Sequence, residues 1–172
     1  MELKQTIKNR YSARSYTKKK IPKKTINEII EYANLAPSAG NLQARDFIIV
    51  DDENIKKQLS SAALYQIFII QAPISIIVCA NLKRSVPYGK RGIELYSIQD
   101  ATAAVEHILL LAVDYGLDTC WVGAFDEDLV SKILDLPAYI RPIAIIPIGY
   151  SNELKKSSKR IDTEHLTHYN KW

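Results

Sequence analysis

This chain has little of the material from which metal centres, disulfide scaffolds and nucleotide loops are built. Its 172 residues include two cysteines, three histidines, one methionine and six glycines. Cys79 and Cys120 each lie in an apolar run, with no Cys-x-x-Cys pair and no histidine cluster beside them. The expectation is therefore two buried, reduced thiols in a cytoplasmic protein, and no metal site. His107 falls inside a helical pattern, and His165 and His168 fall among the last ten residues. Without a Gly-x-Ser-x-Gly turn to present a serine, a hydrolase triad is excluded. A Walker loop and a Rossmann phosphate turn are also missing. No run of 18 apolar residues occurs, so no membrane partner is expected, and the first 24 residues lack the apolar stretch of a secretory signal.

Charge is plentiful but uneven. Nine Lys or Arg stand against Glu2 alone in residues 1–24, whereas the remainder carries 14 basic and 18 acidic residues. The lysines at 18–20 and 23–24 have no interleaved aromatics and belong to no nucleic-acid module. They read as a solvated linker between two helices, and no nucleic-acid partner is expected.

With 47% hydrophobic residues, the chain is long enough for one cored domain over 1–172. Residues 2–9 read as a short helix. Residues 25–36 place Ile26, Ile29, Ile30 and Ala33 on one helical face before Pro37 closes the helix. Runs at 47–50 and 74–79 are continuously apolar, as in strands covered on both faces, with a helix from Ile55 between them. The longest helix is predicted from about 97–100 to Gly116, with Ala101, Ala104, Val105, Ile108, Leu111, Ala112 and Tyr115 at helical spacing. Leu109, Leu110 and Val113 widen its apolar surface, which predicts burial on two sides. A strand at 119–122 with Trp121 as a core residue, a helix at 127–134, a strand at 143–148 and a helix at 163–170 follow. Residues 87–92 read as a loop. Alternating strands and helices predict an α/β fold, a three-layer α/β/α sandwich.

Two short segments carry the functional signal. In Arg10-Tyr11-Ser12-Ala13-Arg14, two guanidinium groups flank a hydroxyl at alternate positions, so an extended segment turns all three toward one anion, and phosphate suits that fork. In Ala36-Pro37-Ser38-Ala39-Gly40-Asn41-Leu42-Gln43, Pro37 and Gly40 shape a turn while Ser38, Asn41 and Gln43 supply mixed donors and acceptors for a polar ring edge. Together they point to a phosphorylated heterocyclic cofactor.

An Arg-x-Ser-x-Arg start followed by Pro-Ser-x-x-Asn-x-Gln resembles the FMN-dependent nitroreductase family. Gly116-Leu117-Asp118-Thr119-Cys120-Trp121-Val122-Gly123 and Ile143-Ala144-Ile145-Ile146-Pro147-Ile148-Gly149-Tyr150 extend the resemblance over residues 6–170. The resemblance implies a central mixed sheet and a homodimer with FMN at the subunit interface, the second side of the long helix meeting the partner subunit. It implies that Arg10 and Ser12 take the phosphate, with Tyr11 in the same contact segment and Lys159 and Arg160 adding a contact from the tail, and that Arg14 approaches the pyrimidine edge. Pro37, Ser38 and Asn41 then come from the partner subunit, with Gln43 supporting their loop. Gly123 and Ala124 face flavin N5, and Gln66 falls near the ring. The implied chemistry is hydride transfer from NADH or NADPH to FMN and onward, in a ping-pong cycle, to a small-molecule acceptor such as a nitroaromatic or quinone. No catalytic amino acid is identifiable, since the cofactor carries the reaction. A flavin-binding protein without turnover, or a branch with dehalogenating, flavin-fragmenting or azoline-oxidising chemistry, shares these residues.

The chain departs from the pattern in three places, one of them the tail, where Ser158-Lys159-Arg160 stands in place of the common Lys-x-Arg and makes Arg160 the firmer phosphate contact. Ala44-Arg45 follows the loop glutamine where Pro-Trp is common, and Arg45 reads as a substrate contact or a partner of Asp46. The connection at 85–96 is short where larger relatives carry a lid, which predicts an open site with little selection among acceptors.

Overall fold

The computed structural model describes residues 1–155 and 158–172. In chain order its elements are α1 (Leu3–Asn9), α2 (Lys23–Ala33), β1 (Arg45–Val50), α3 (Glu53–Ala62), α4 (Phe68–Gln71) and β2 (Ile74–Asn81). They continue with α5 (Gly89–Arg91), α6 (Ser97–Asp114), β3 (Asp118–Thr119), α7 (Glu127–Ile133) and β4 (Ile140–Gly149). The strands form one sheet in the order β1-β2-β4-β3.

The sheet is covered on both faces, which is why the central parts of β1, β2 and β4 are mostly apolar. Ile76, Val78 and Ala80 of β2, with Ala144, Ile146 and Ile148 of β4, face α2 and α6. Ile77 and Cys79, with Ile145, face α3, α4 and α7. Each fully buried aliphatic side chain contributes about 1.5–3 kcal/mol, so the three layers follow from the alternation of these residues. All three ladders between named strands are antiparallel. The mixed character expected of the sheet rests on one parallel bridge, Ser12 to Thr119.

Several local expectations are corrected. Residues 87–92 are not a loop: a 3-10 turn at Val86–Tyr88 leads through α5 and a π-helical segment, Gly92–Tyr96, directly into α6. Glycine is required at 92, because a Cβ there would collide with the Ser85 carbonyl. The predicted helix at 163–170 shrinks to a 3-10 turn at Thr163–Leu166, since among the described residues nothing covers its apolar side. β3 is two residues long, with an isolated bridge at Val122. Trp121 is 38% exposed, outside both core clusters. On α6, Leu109 belongs to the chain's own core, while Leu110 and Val113 stay partly exposed. Lys18, Lys19 and Lys20 are exposed in the connection to α2.

Candidate functional site

The backbone from Arg10 to Arg14 leaves α1 in extended form. Its geometry is held at Ala13, whose N–H donates to the Thr119 carbonyl at 2.9 Å and whose side chain is fully buried. Arg10, Ser12 and Arg14 all line one cleft of about 950 Å3, as the motif spacing predicts, and Tyr11 between them lines it too. Arg160 from the tail lines the same cleft, whereas Lys159 is exposed and does not. Glu153 also lines it, and its carboxylate accepts the Arg14 backbone N–H at 2.8 Å.

Buried polar groups support this wall from behind. The Cys120 thiol is pushed up by burial, a shift opposed by the nearby Arg14 guanidinium and the Ser12 hydroxyl. Burial likewise raises Asp118, opposed by the N–H of Ser151, which donates to its carboxylate at 3.1 Å, and by the Tyr11 hydroxyl. Burial raises Tyr11 as well. The Thr119 hydroxyl, opposite Ser12, is buried with no partner among the described residues.

The second motif folds as a strained turn. Gly40, Asn41 and Gln43 all adopt left-handed φ values of 55°, 56° and 50°, a conformation that costs a residue with a Cβ about 1–2 kcal/mol. Ser38 Oγ accepts the Gln43 N–H at 3.0 Å, and Gln43 Nε2 donates to the Asn41 carbonyl at 3.2 Å, so Gln43 supports the loop. Glycine suits position 40 because of its left-handed φ, and a Cβ there would also meet the Tyr88 hydroxyl, the far end of a movable side chain. Tyr88 itself stacks edge-on against Tyr96 at 5.3 Å between centroids.

Arg45 is neither a substrate contact nor a partner of Asp46. It is 2% exposed, and its guanidinium donates to the carbonyls of Asn34, Ala36 and Pro37 at 2.6, 2.8 and 3.3 Å. Burial lowers its pKa, an effect partly offset by Asp100. Asp46 pairs instead with Arg84 at 3.2 Å.

The third group lies on the far side of β3. Gln66 Nε2 donates to the carbonyls of Ala63 at 2.9 Å and Ala124 at 3.3 Å, tying the 63–67 turn to the 123–124 segment. Leu64 and Tyr65 are both left-handed and exposed in that turn. Gly123 and Ala124 are exposed, and a Cβ at 123 would have only Trp121 Nε1, at 3.8 Å, for company. The backbone there is open to close approach.

The sheet register sets the distance between the two motifs. Arg45 lies level with Ala80 and, through it, with Arg141, whereas Thr119 lies level with Ile148. Arg45 and Ser12 therefore mark diagonal corners of the sheet, roughly 25 Å or more apart at strand spacings of ~4.8 Å and ~3.3 Å per residue. The chain brings Arg10, Ser12, Arg14 and Arg160 together and keeps the 37–43 loop away from them. Asp100, Tyr88 and Glu153 escape motif reading. An aspartate in the first turn of a long helix is a visible signal, but its partners 56 and 61 residues away are not.

Comparison with known proteins places the fold. The model of the Nitroreductase family matches residues 7–73 and 60–150. Among similar chains, an NADH dehydrogenase of Thermus thermophilus is 28% identical over 194 residues, covering 96% of this chain and 95% of its own. An FMN reductase [NAD(P)H] of Bacillus subtilis is 29% identical over 188 residues, covering 97% and 73%. The solved structure of B. megaterium NfrA2 superposes with a TM-score of 0.93 at 27% identity, covering all of this chain and 75% of that one. With most of its length matched and the two motifs standing where the fold puts them, the chain belongs to the nitroreductase family.

Proposed function

We propose that this protein is an FMN-dependent oxidoreductase that draws on NADH or NADPH, works as a homodimer and passes electrons to a small-molecule acceptor. The observation that carries the reading is the cleft at 10–14, where three arginines and a serine converge. The donor set fits the group: guanidinium forks and a hydroxyl match a phosphate monoester, and the open backbone at 123–124 leaves room for a flat ring. FMN, when bound, supplies hydride chemistry that no side chain of this protein offers.

The chain's own residues bind and orient. Arg10, Ser12 and Arg160 neutralise the phosphate, and Lys159 adds positive charge at the cleft rim. Arg14 lies one alternation further along and stabilises negative charge at the ring's pyrimidine edge. Gly123 and Ala124 present backbone N–H groups, with Gln66 holding Ala124 in place. Pro37, Ser38 and Asn41 stand at the opposite corner, so they reach a flavin only across a two-fold axis, one subunit's loop closing the other's cleft. Leu110 and Val113, partly exposed on α6, supply apolar surface for that interface. The two unpaired buried cysteines suit a reducing cytoplasm. Quinones and nitroaromatics are the acceptor class, since the segment at 85–96 adds only a short helical wall.

The purified protein should be yellow, oxidise NADH or NADPH, and sediment as a dimer. A colourless protein that takes up no added FMN defeats the reading, and a flavin-loaded monomer defeats the shared site. Mixing Arg10→Ala and Asn41→Ala chains sharpens this: heterodimers should regain about half the flavin sites, whereas no recovery would place both residues in one subunit's site.

A further inference from the structure

The chain from Asn34 to Arg45 turns more backbone polar groups inward than its own turns satisfy, and two buried charged side chains take them up. Asp100, in the first turn of α6 and 3% exposed, accepts the Ala39 N–H on Oδ1 at 2.9 Å and the Ala44 N–H on Oδ2 at 3.2 Å. Arg45 takes the opposite polarity, donating to the carbonyls of Asn34, Ala36 and Pro37 and to the Asn34 side chain at 3.2 Å. Its Nη1 also reaches the Asp100 carbonyl at 3.4 Å. One residue collects the loop's N–H groups and the other its C=O groups. Buried charges of this kind are rare unless compensated, and here each compensates the other as well as the backbone between them.

What they restrain is a loop with three left-handed residues. Strained backbone persists only where its surroundings over-determine it, and it gathers at ligand clamps. A simple helix C-cap would need neither the Asp100 carboxylate nor contacts on both sides of the Gly40 turn.

We propose that Asp100 and Arg45 are positioning residues: together they clamp the 37–43 loop to α6 and so set how tightly, and at what reduction potential, the flavin of the partner subunit is held by Ser38 and Asn41. The inference rests on the flavin reading given above. It makes the first turn of α6 part of the cofactor site of the other subunit, although neither residue touches the flavin. A shift of the loop by a fraction of an ångström is enough to loosen ring-edge hydrogen bonds.

Asp100→Asn retains one acceptor oxygen and points an amide at a backbone N–H, whereas Arg45→Lys retains the charge but loses the fork. FMN dissociation constants, the visible absorption fine structure and the midpoint potential of the bound flavin are measured on variants checked for folding and for dimer mass. Both variants should weaken FMN binding by about tenfold or more, equivalent to about 1.4 kcal/mol, and shift the absorption fine structure and midpoint potential, with Arg45→Lys milder. Folded dimers whose affinity stays within twofold of the parent's, with an unchanged spectrum and potential, would overturn the proposal. If neither variant folds, hydrogen exchange of the unaltered protein decides. The Ala39 and Ala44 amides should open together and slow further when FMN is added; fast or unlinked exchange overturns the clamp. A parent protein that binds no FMN defeats the functional reading instead, and linked protection of the two amides would then remain as a separate result.

Discussion

Arg10 and Arg45 mark opposite corners of the same sheet and differ in every respect that matters. Arg10 lines an open cleft, and its guanidinium makes no hydrogen bond among the described residues. Arg45 is buried, and protein oxygens take up its donors. A guanidinium left without protein partners is available to a ligand, whereas one saturated by main-chain carbonyls shapes the fold around it. Hydrogen-bond partners alone separate these two kinds of arginine.

Arg45→Ala attacks the buried corner and should have the largest effect. It orphans the Asn34, Ala36 and Pro37 carbonyls, and each buried acceptor left unsatisfied typically costs about 1–3 kcal/mol. Urea unfolding measures it, and a loss under about 1 kcal/mol, within the range of one ordinary hydrogen bond, would erase the contrast between the corners.

Arg10→Ala or Arg14→Ala attacks the open corner. Flavin affinity should fall by about 1.5–3 kcal/mol, as when a charge-assisted contact is lost, while the unfolding midpoint barely moves. Flavin titration beside thermal unfolding gives both numbers, and a stability loss comparable to that of Arg45→Ala would show that the cleft arginines are structural.

Gly40→Ala probes the strained loop alone. The residue must hold φ 55° with a Cβ facing the Tyr88 hydroxyl, and the backbone part costs about 1 kcal/mol. Because Tyr88 can swing aside, most of the penalty should persist in a Tyr88→Ala background. Full relief there would assign the strain to the contact and not to the backbone.

The smallest effect at neutral pH concerns Cys79, buried on β2 level with Asp46. Burial pushes its thiol from 9.0 up to about 12, so the fold favours the protonated form. The linked stability is fully present below pH 9 and is lost as pH rises toward 12; buried Tyr16 acts with the same sign. Unfolding measured across that window should show a shallower decline for Cys79→Ala, and an identical slope would mean that the thiol is not desolvated.

Much of this was legible beforehand. Continuous apolar runs at 47–50, 74–79 and 143–148 mark β1, β2 and β4 because both of their faces are buried. Arg10, Ser12 and Arg14 share one cleft because they lie on one short extended segment along its wall, Tyr11 included. Segments with little to pack against were misjudged. The 163–170 pattern lacks a covering surface among the described residues, and the 87–92 glycines and proline, read as loop punctuation, instead fit helical turns running into α6.

Local composition therefore determined the elements and the presence of an anion-binding segment, since periodicity and side-chain chemistry are properties of neighbours in sequence. Tertiary structure alone decided which charges face a ligand and which hold the fold. Arg45 looked like a rim residue and proved to be a buried brace, and Asp100 showed only its place in the first turn of a long helix, not its partners. Their roles depend on which backbone groups 8 to 61 residues away are brought within hydrogen-bond reach, and no short stretch of sequence records that distance.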